Sequence, residues 1–246
     1  GRLCTCQYAL AKQQEFRLAA IAMAARAMGA GDKDKDDKDK GDKKDGDKDK
    51  EKKDSIELPE ELVGQLIKEV VMHEVGHSLG LRHNFKASSM LKLDQLNDTS
   101  ITRKKGMSGS VMDYLPVNIS PDKDKQGDYT TTTIGPYDYW AIEYAYKPIE
   151  GAEKKELAKI AARSPEPDLK YATDEDMWMS NDPRVQAFDL GDDPLAFGKE
   201  RVELAEKLLP KLDDKVVRDG ESARASVAAG ELCPAVGAVG LGAGGD

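Results

Sequence analysis

The chain contains three histidines, and all three fall in the eleven residues from His73 to His83, inside the stretch VMHEVGHSLGLRHNF. Upstream, Leu62, Leu66, Val70 and His73 follow one another at spacings of four, four and three, and His77 continues the stripe four residues later. On a helix, residues i and i+4 lie one turn apart on one face. His73 and His77 can therefore aim two imidazoles at a common point. Pro59 suits a first-turn position, Glu60 and Glu61 complement the helix dipole, and Ser55 or a neighbour can cap the end. Gly80 lets the chain leave the helix in a conformation that other residues avoid. The pattern predicts a long helix from about Pro59 to Gly80, followed by a turn that can bring His83 back beside the other two.

Three neutral imidazoles with bonds of ~2.0–2.1 Å suit a four-coordinate zinc ion with one open position. A water in that position is acidified to a pKa of ~7 and becomes a nucleophile at neutral pH. Glu74 sits one position round from His73. It can hold a carboxylate near the metal without occupying it, and act as general base. The alternative is three histidines that cluster by chance. Against it stand the spacing, the glycine, the third histidine and the use of every imidazole in the chain.

HExxHxxGxxH is the metzincin signature, and HEVGHSLGLRH, residues 73–83, fits it at every fixed position. Metzincins carry a downstream Met-turn beneath the zinc-binding histidines. SVMDY, residues 110–114, resembles that turn. The resemblance makes Met112 a structural floor rather than a ligand, although a methionine is also a common core filler. In the astacin and serralysin branches a tyrosine at the place of Tyr114 binds zinc or stabilises the developing oxyanion; a packed tyrosine is the other reading. The segments 70–88, 110–119, 127–149 and 182–199 together resemble a family of large bacterial zinc-dependent metalloproteases related to the EcxA toxin subunit, with the likeness covering most of residues 55–210. The residue after the third histidine is Asn84, unlike the astacins, adamalysins and matrixins. The chain is therefore not assigned to those branches.

That resemblance implies a mainly α fold within an α+β family. It has a long active-site helix and a Met-turn. The upper β-sheet that cradles substrate in a full metzincin domain is expected to be missing, because only one helix and a charged insertion precede the active-site helix. The implied function is a zinc-dependent endopeptidase acting on protein or peptide substrates, with His73, His77 and His83 as metal ligands and Glu74 and Tyr114 as catalytic groups. One alternative is a non-catalytic zinc-binding fragment or pseudoenzyme without the substrate-binding sheet. Another is a zinc hydrolase acting on a non-peptide bond, against which the Met-turn argues. Members of the family are exported to the cell envelope or secreted.

Composition narrows the partners. The formal net charge is −9 over 246 residues, which argues against a nucleic-acid binder. No apolar run approaches the ~20 residues of a membrane span, and the chain does not start like a signal peptide. It begins with Gly1 rather than Met, which suggests a processed or truncated piece. Cys4, Cys6 and Cys233 give no disulfide framework.

Five regions follow. Residues 1–31 carry an N-terminal helix, expected over 5–28 because the stretch is rich in Ala, Leu, Met and Gln. Residues 32–54 hold ten Asp, ten Lys, two Gly and one Glu, and read as a solvated insertion with no apolar surface. Calcium binding there is disfavoured, because no glycine stands where the EF-hand loop needs one. Residues 55–150 are the metzincin-like core, with a polar loop at 86–109, an extended-looking stretch at 129–135 and a helix at 136–146. Residues 151–224 are helical, at 152–163 and 194–212, joined by a turn-rich 182–194 connection. Residues 225–246 are a low-complexity tail of Ala, Gly and Val.

Overall fold

The computed structural model describes residues 8–30 and 58–216. The Asp/Lys insertion, the Ala/Gly tail, the three cysteines and the Ser55 cap lie outside the described residues. The first helix is α1 (Tyr8–Ala30), and its expected start at residue 5 lies outside the described residues. It buries Ala19, Ala22 and Ala25 at a spacing of three. These small side chains let it pack closely against the two longest helices after it. The active-site helix α2 (Glu60–Ser78) contributes Leu62 and Leu66 to that core, and the C-terminal α7 (Pro194–Val216) contributes Leu204 and Leu208. Val117 and Ile119, from an extended segment, complete it.

α2 runs as the spacing predicts, with one difference at its start. Pro59 stands at the N-cap, outside the helix, and no side chain caps it. Its buried face is Leu62, Gln65, Leu66, Glu69, His73 and Gly76. Val70, expected in the stripe, is only half-buried, and two polar residues take the centre of the face. They are buried because distant segments bring partners. Gln65 donates to Asp128 at 2.9 Å and accepts from the Tyr129 N–H at 2.6 Å. Glu69 pairs with Lys12 of α1 at 2.7 Å. The opposite face is apolar yet open to solvent: Ile67, Val71, Val75 and Leu79 are 41–61 % exposed.

The 86–109 segment is more ordered than a polar loop. It holds α3 (Thr99–Lys105), whose N-cap Asp98 accepts from the Ser100 N–H, and Gly106 ends it at φ 90°. Then come α4 (Pro136–Tyr146), α5 (Glu153–Ala161) and α6 (Asp174–Met179). Among the described residues there is no β-strand, and that part of the chain is mainly α. The 129–135 stretch, rich in threonine, meets residues 115–120 through one backbone bond, Asn118 N–H to the Tyr129 carbonyl at 2.7 Å. One bond does not make a ladder.

α1 lies along the extended segment that follows SVMDY and bonds it repeatedly. Lys12 Nζ donates to the Leu115 carbonyl at 2.7 Å. The Val117 N–H donates to Glu15 at 3.1 Å. Arg26 donates to the Ser120 carbonyl. From the other side, Arg201 of α7 donates to the Ile119 carbonyl at 2.6 Å. Two helices thus fix the strand-like connector that carries the candidate Met-turn.

Candidate metal centre

α2 ends in a Schellman motif. The Gly80 N–H donates to the His77 carbonyl at 2.9 Å and the Leu81 N–H to the Gly76 carbonyl at 3.0 Å. Gly80 adopts φ 85°, the left-handed conformation expected of it. The reversal brings His83 back against α2. Its ring lies 4.8 Å from that of His77 and 5.4 Å from that of His73. One candidate nitrogen from each imidazole falls within 4.8 Å of the others. His73 and His83 are buried and His77 is half-buried.

The outer nitrogen of each ring is held. His73 Nδ1 meets the Val111 carbonyl at 2.7 Å. His77 Nδ1 meets the Leu81 carbonyl at 3.0 Å. His83 Nδ1 meets Asp174 Oδ1 at 2.7 Å. Carbonyls and carboxylates only accept, so each Nδ1 carries the proton and each neutral ring leaves a lone pair on Nε2. Burial pushes the His73 pKa down to about 3, which keeps that ring neutral.

These lone pairs test the fit to a cation. His77 Nε2 and His83 Nε2 stand 3.2 Å apart, and with both rings neutral and protonated on Nδ1 each presents a lone pair to the other. Two facing lone pairs at that distance repel unless a positive charge lies between. Tetrahedral bonds of ~2.0–2.1 Å put ligand nitrogens about 3.3 Å apart. The residues fit a small tetrahedral ion in distance and in the type of donor they offer.

Residues 110–114 fold back beneath α2, as a Met-turn requires. Asp138, at the third position of α4, anchors the turn. Ser110 Oγ and the Val111 N–H donate to its two carboxylate oxygens, at 2.6 and 2.9 Å, and the Gly135 N–H adds a third bond at 2.8 Å. Met112 is fully buried, and a methyl group placed on Gly76 would overlap its sulfur. The methionine therefore lies against α2 at Gly76, the residue before His77. Asn84, buried after the third histidine, joins three segments. Its N–H donates to the Met112 carbonyl at 3.0 Å, its Nδ2 donates to the Lys170 carbonyl at 2.9 Å, and its Oδ1 accepts from the Ala172 N–H at 3.2 Å.

Tyr114 stands beside the imidazoles, with its ring centre 4.8 Å from that of His83 and 5.4 Å from that of His73. Glu74 is half-buried, one helical position round from His73. The structure brings the rings of His73, His77, His83 and Tyr114 together, and Glu74 follows His73 on α2.

Other participants were not legible. Asp174 lies 91 residues from the histidine it holds and opens a six-residue helix, so neither spacing nor periodicity signals it. Asp138 and Tyr8 also act across long sequence separations, 28 residues to Ser110 and 61 to Glu69. A buried acid at the N3 position of α4, beside Gly135 and Pro136, was the one available hint of an anchoring role.

Fold and site together define a mainly helical described region in which two imidazoles of an HExxH helix converge with a third from the turn after it, beside a buried methionine. Residues 55–230 match the family model described as Met-zincin, and the chain belongs to that family. No curated protein and no solved structure matches the chain. Among the described residues, no helix is long and apolar enough to cross a membrane.

Proposed function

We propose that the protein is a zinc-dependent endopeptidase. The observation that carries this reading is the set of outer partners at the three imidazoles, which leaves three Nε2 lone pairs facing one small volume. Zinc, when bound, polarises a carbonyl and supplies an acidified water. His73, His77 and His83 would hold it through Nε2.

The chain's own groups supply the rest. Glu74 takes the water's proton on its carboxylate and returns it to the leaving amine. Tyr114 donates its phenol proton in a hydrogen bond to the oxygen on which negative charge develops. Asp174 and the Val111 and Leu81 carbonyls keep the rings turned inward, the arrangement by which outer partners set ligand orientation. Met112 and Asp138 fix the floor.

A second reading is a zinc-binding protein without peptidase chemistry. The lack of a strand among the described residues favours it, because a sheet edge is one way to align an extended peptide. On the family resemblance we place the protein in the cell envelope or outside the cell. Protein purified from zinc-containing medium should retain about one zinc per chain after dialysis, and His77→Ala should lose it. Glu74→Ala should keep the zinc and lose cleavage of a protein substrate. Wild-type protein that binds zinc and cleaves nothing supports the second reading. Undiminished cleavage by Glu74→Ala removes that residue as base.

A further inference from the structure

Tyr8, in the first turn of α1, is fully buried against the candidate metal centre. Its ring stacks on that of Tyr114, at 4.5 Å and 20° between planes. It also lies 4.4 Å from the His73 ring, tilted by 36°. Its hydroxyl donates to Glu69 Oε1. Glu69 stands one turn before His73 on α2, and Lys12, one turn after Tyr8 on α1, sits 2.7 Å from Glu69 Oε2. The same ammonium donates to the carbonyl of Leu115, the residue after Tyr114.

Two closed circuits result. One runs from Tyr8 through Glu69 and one turn of α2 to His73, and back by ring contact. The other runs from Tyr8 along α1 to Lys12, through Leu115 to Tyr114, and back by stacking. The Lys12–Glu69 pair is buried and hydrogen-bonded on both sides, so it resists displacement. Stacked rings favour a narrow set of mutual angles.

We propose that Tyr8 is a positioning residue of the metal centre. It fixes the planes of His73 and Tyr114 relative to one another by ring contact, and the Lys12–Glu69 pair ties α1 to α2 beside it. The active geometry then depends on α1, a segment outside the HExxH and Met-turn motifs. This inference rests on the zinc reading of the site, and its effect on turnover rests also on the peptidase reading.

The test uses cobalt in place of zinc, because the visible d–d band of cobalt reports ligand geometry whether or not any peptide is cleaved. Three proteins are compared: wild type, Tyr8→Leu and Tyr8→Phe. Tyr8→Leu removes the ring, and its cobalt band should shift and broaden. Tyr8→Phe keeps the ring and loses only the bond to Glu69, and should restore a band close to wild type. Turnover on a peptide substrate should fall about 10- to 100-fold in Tyr8→Leu with KM changed less than about threefold, and recover largely in Tyr8→Phe. If Tyr8→Leu does not fold, a band in Tyr8→Phe that differs from wild type overturns the proposal, because the retained ring should suffice. A wild-type band in folded Tyr8→Leu also overturns it. Wild-type protein that gives the band but cleaves nothing overturns the peptidase reading and leaves the spectral test of Tyr8 in force.

Discussion

Asp113 and Asp189 form a buried acid pair behind the turn that carries Met112, and they make stability depend on pH in a calculable way. Asp113 is 1 % exposed and Asp189 6 %. Ser88 bridges them: its N–H donates to Asp113 Oδ2 and its Oγ to Asp189 Oδ1, both at 2.8 Å. Burial pushes both carboxyls up, and the charge of Asp189 pushes Asp113 further. Asp189 is pushed up to about 7, against ~3.9 in an unfolded chain. Between those values the folded protein holds a proton that the unfolded chain has lost. Its contribution is full below pH ~4 and disappears as pH rises through ~7, at ~1.4 kcal/mol per pH unit.

His73 acts with the opposite sign. Its folded pKa of about 3 lies below the ordinary value of 6.5, so its contribution is full above ~6.5 and is lost as pH falls. Over roughly pH 4 to 6.5 the Asp189 and His73 slopes oppose one another. Asp189→Asn removes one of them. The amide keeps the shape, its oxygen accepts from Ser88, and its nitrogen replaces an oxygen that has no hydrogen-bond partner. The stability of Asp189→Asn relative to wild type should therefore rise at up to ~1.4 kcal/mol per pH unit, levelling off near pH 7, for a total of about 2 kcal/mol between pH 5 and pH 7. Urea unfolding of the metal-free proteins at several pH values measures it; metal must be absent because zinc binding itself releases protons. A difference that stays constant within ~0.5 kcal/mol across that range would show that Asp189 holds no such proton.

Three further outcomes are expected. Asp174→Ala should leave the fold intact and weaken zinc binding about 10- to 100-fold, read by competition with a chelator, because His83 loses the acceptor that sets its tautomer. Tyr114→Phe should keep the zinc and lower kcat more than it changes KM on a peptide substrate, since the phenol acts as charge develops. Gly76→Ala should cost ~1–3 kcal/mol in urea unfolding through overlap with Met112, and adding Met112→Ala should recover part of the loss, a non-additivity that two independent sites would not show.

What could be read from the sequence was what local spacing encodes. The histidine pairing on α2, the stop at Gly80 and the helix at 136–146 all follow from a period of 3.6 and from terminal residues that act within one turn. Elements of six or seven residues, such as α6 and α3, are too short to display a period, and both were missed. The threonines of 130–133 suggest a strand by propensity, but a strand needs a neighbouring backbone and none is supplied. Gln65 and Glu69 are polar residues of a kind usually left in solvent, although a helical wheel sets them on the stripe of Leu62, Leu66 and His73. They are buried because Asp128, Lys12 and Tyr8 arrive from sequence-distant segments. The same reason hid Asp174. The imidazoles are gathered by eleven consecutive residues, whereas the groups that aim them come from all over the chain.

The close approach of Gly76 to Met112 ties together two positions 36 residues apart and alters how the signature should be searched. Written as HExxH, the fourth position of the motif is free to be anything. In this fold it is not free, because a buried methionine sulfur occupies the space a side chain would need, and Met112 has no exposed route by which to swing away. The pattern that captures this geometry is HExGH paired with a methionine at the turn, and the two letters should change together. A relative with alanine or larger before the second histidine is expected to carry a smaller side chain at the turn, or to seat that turn lower beneath the helix.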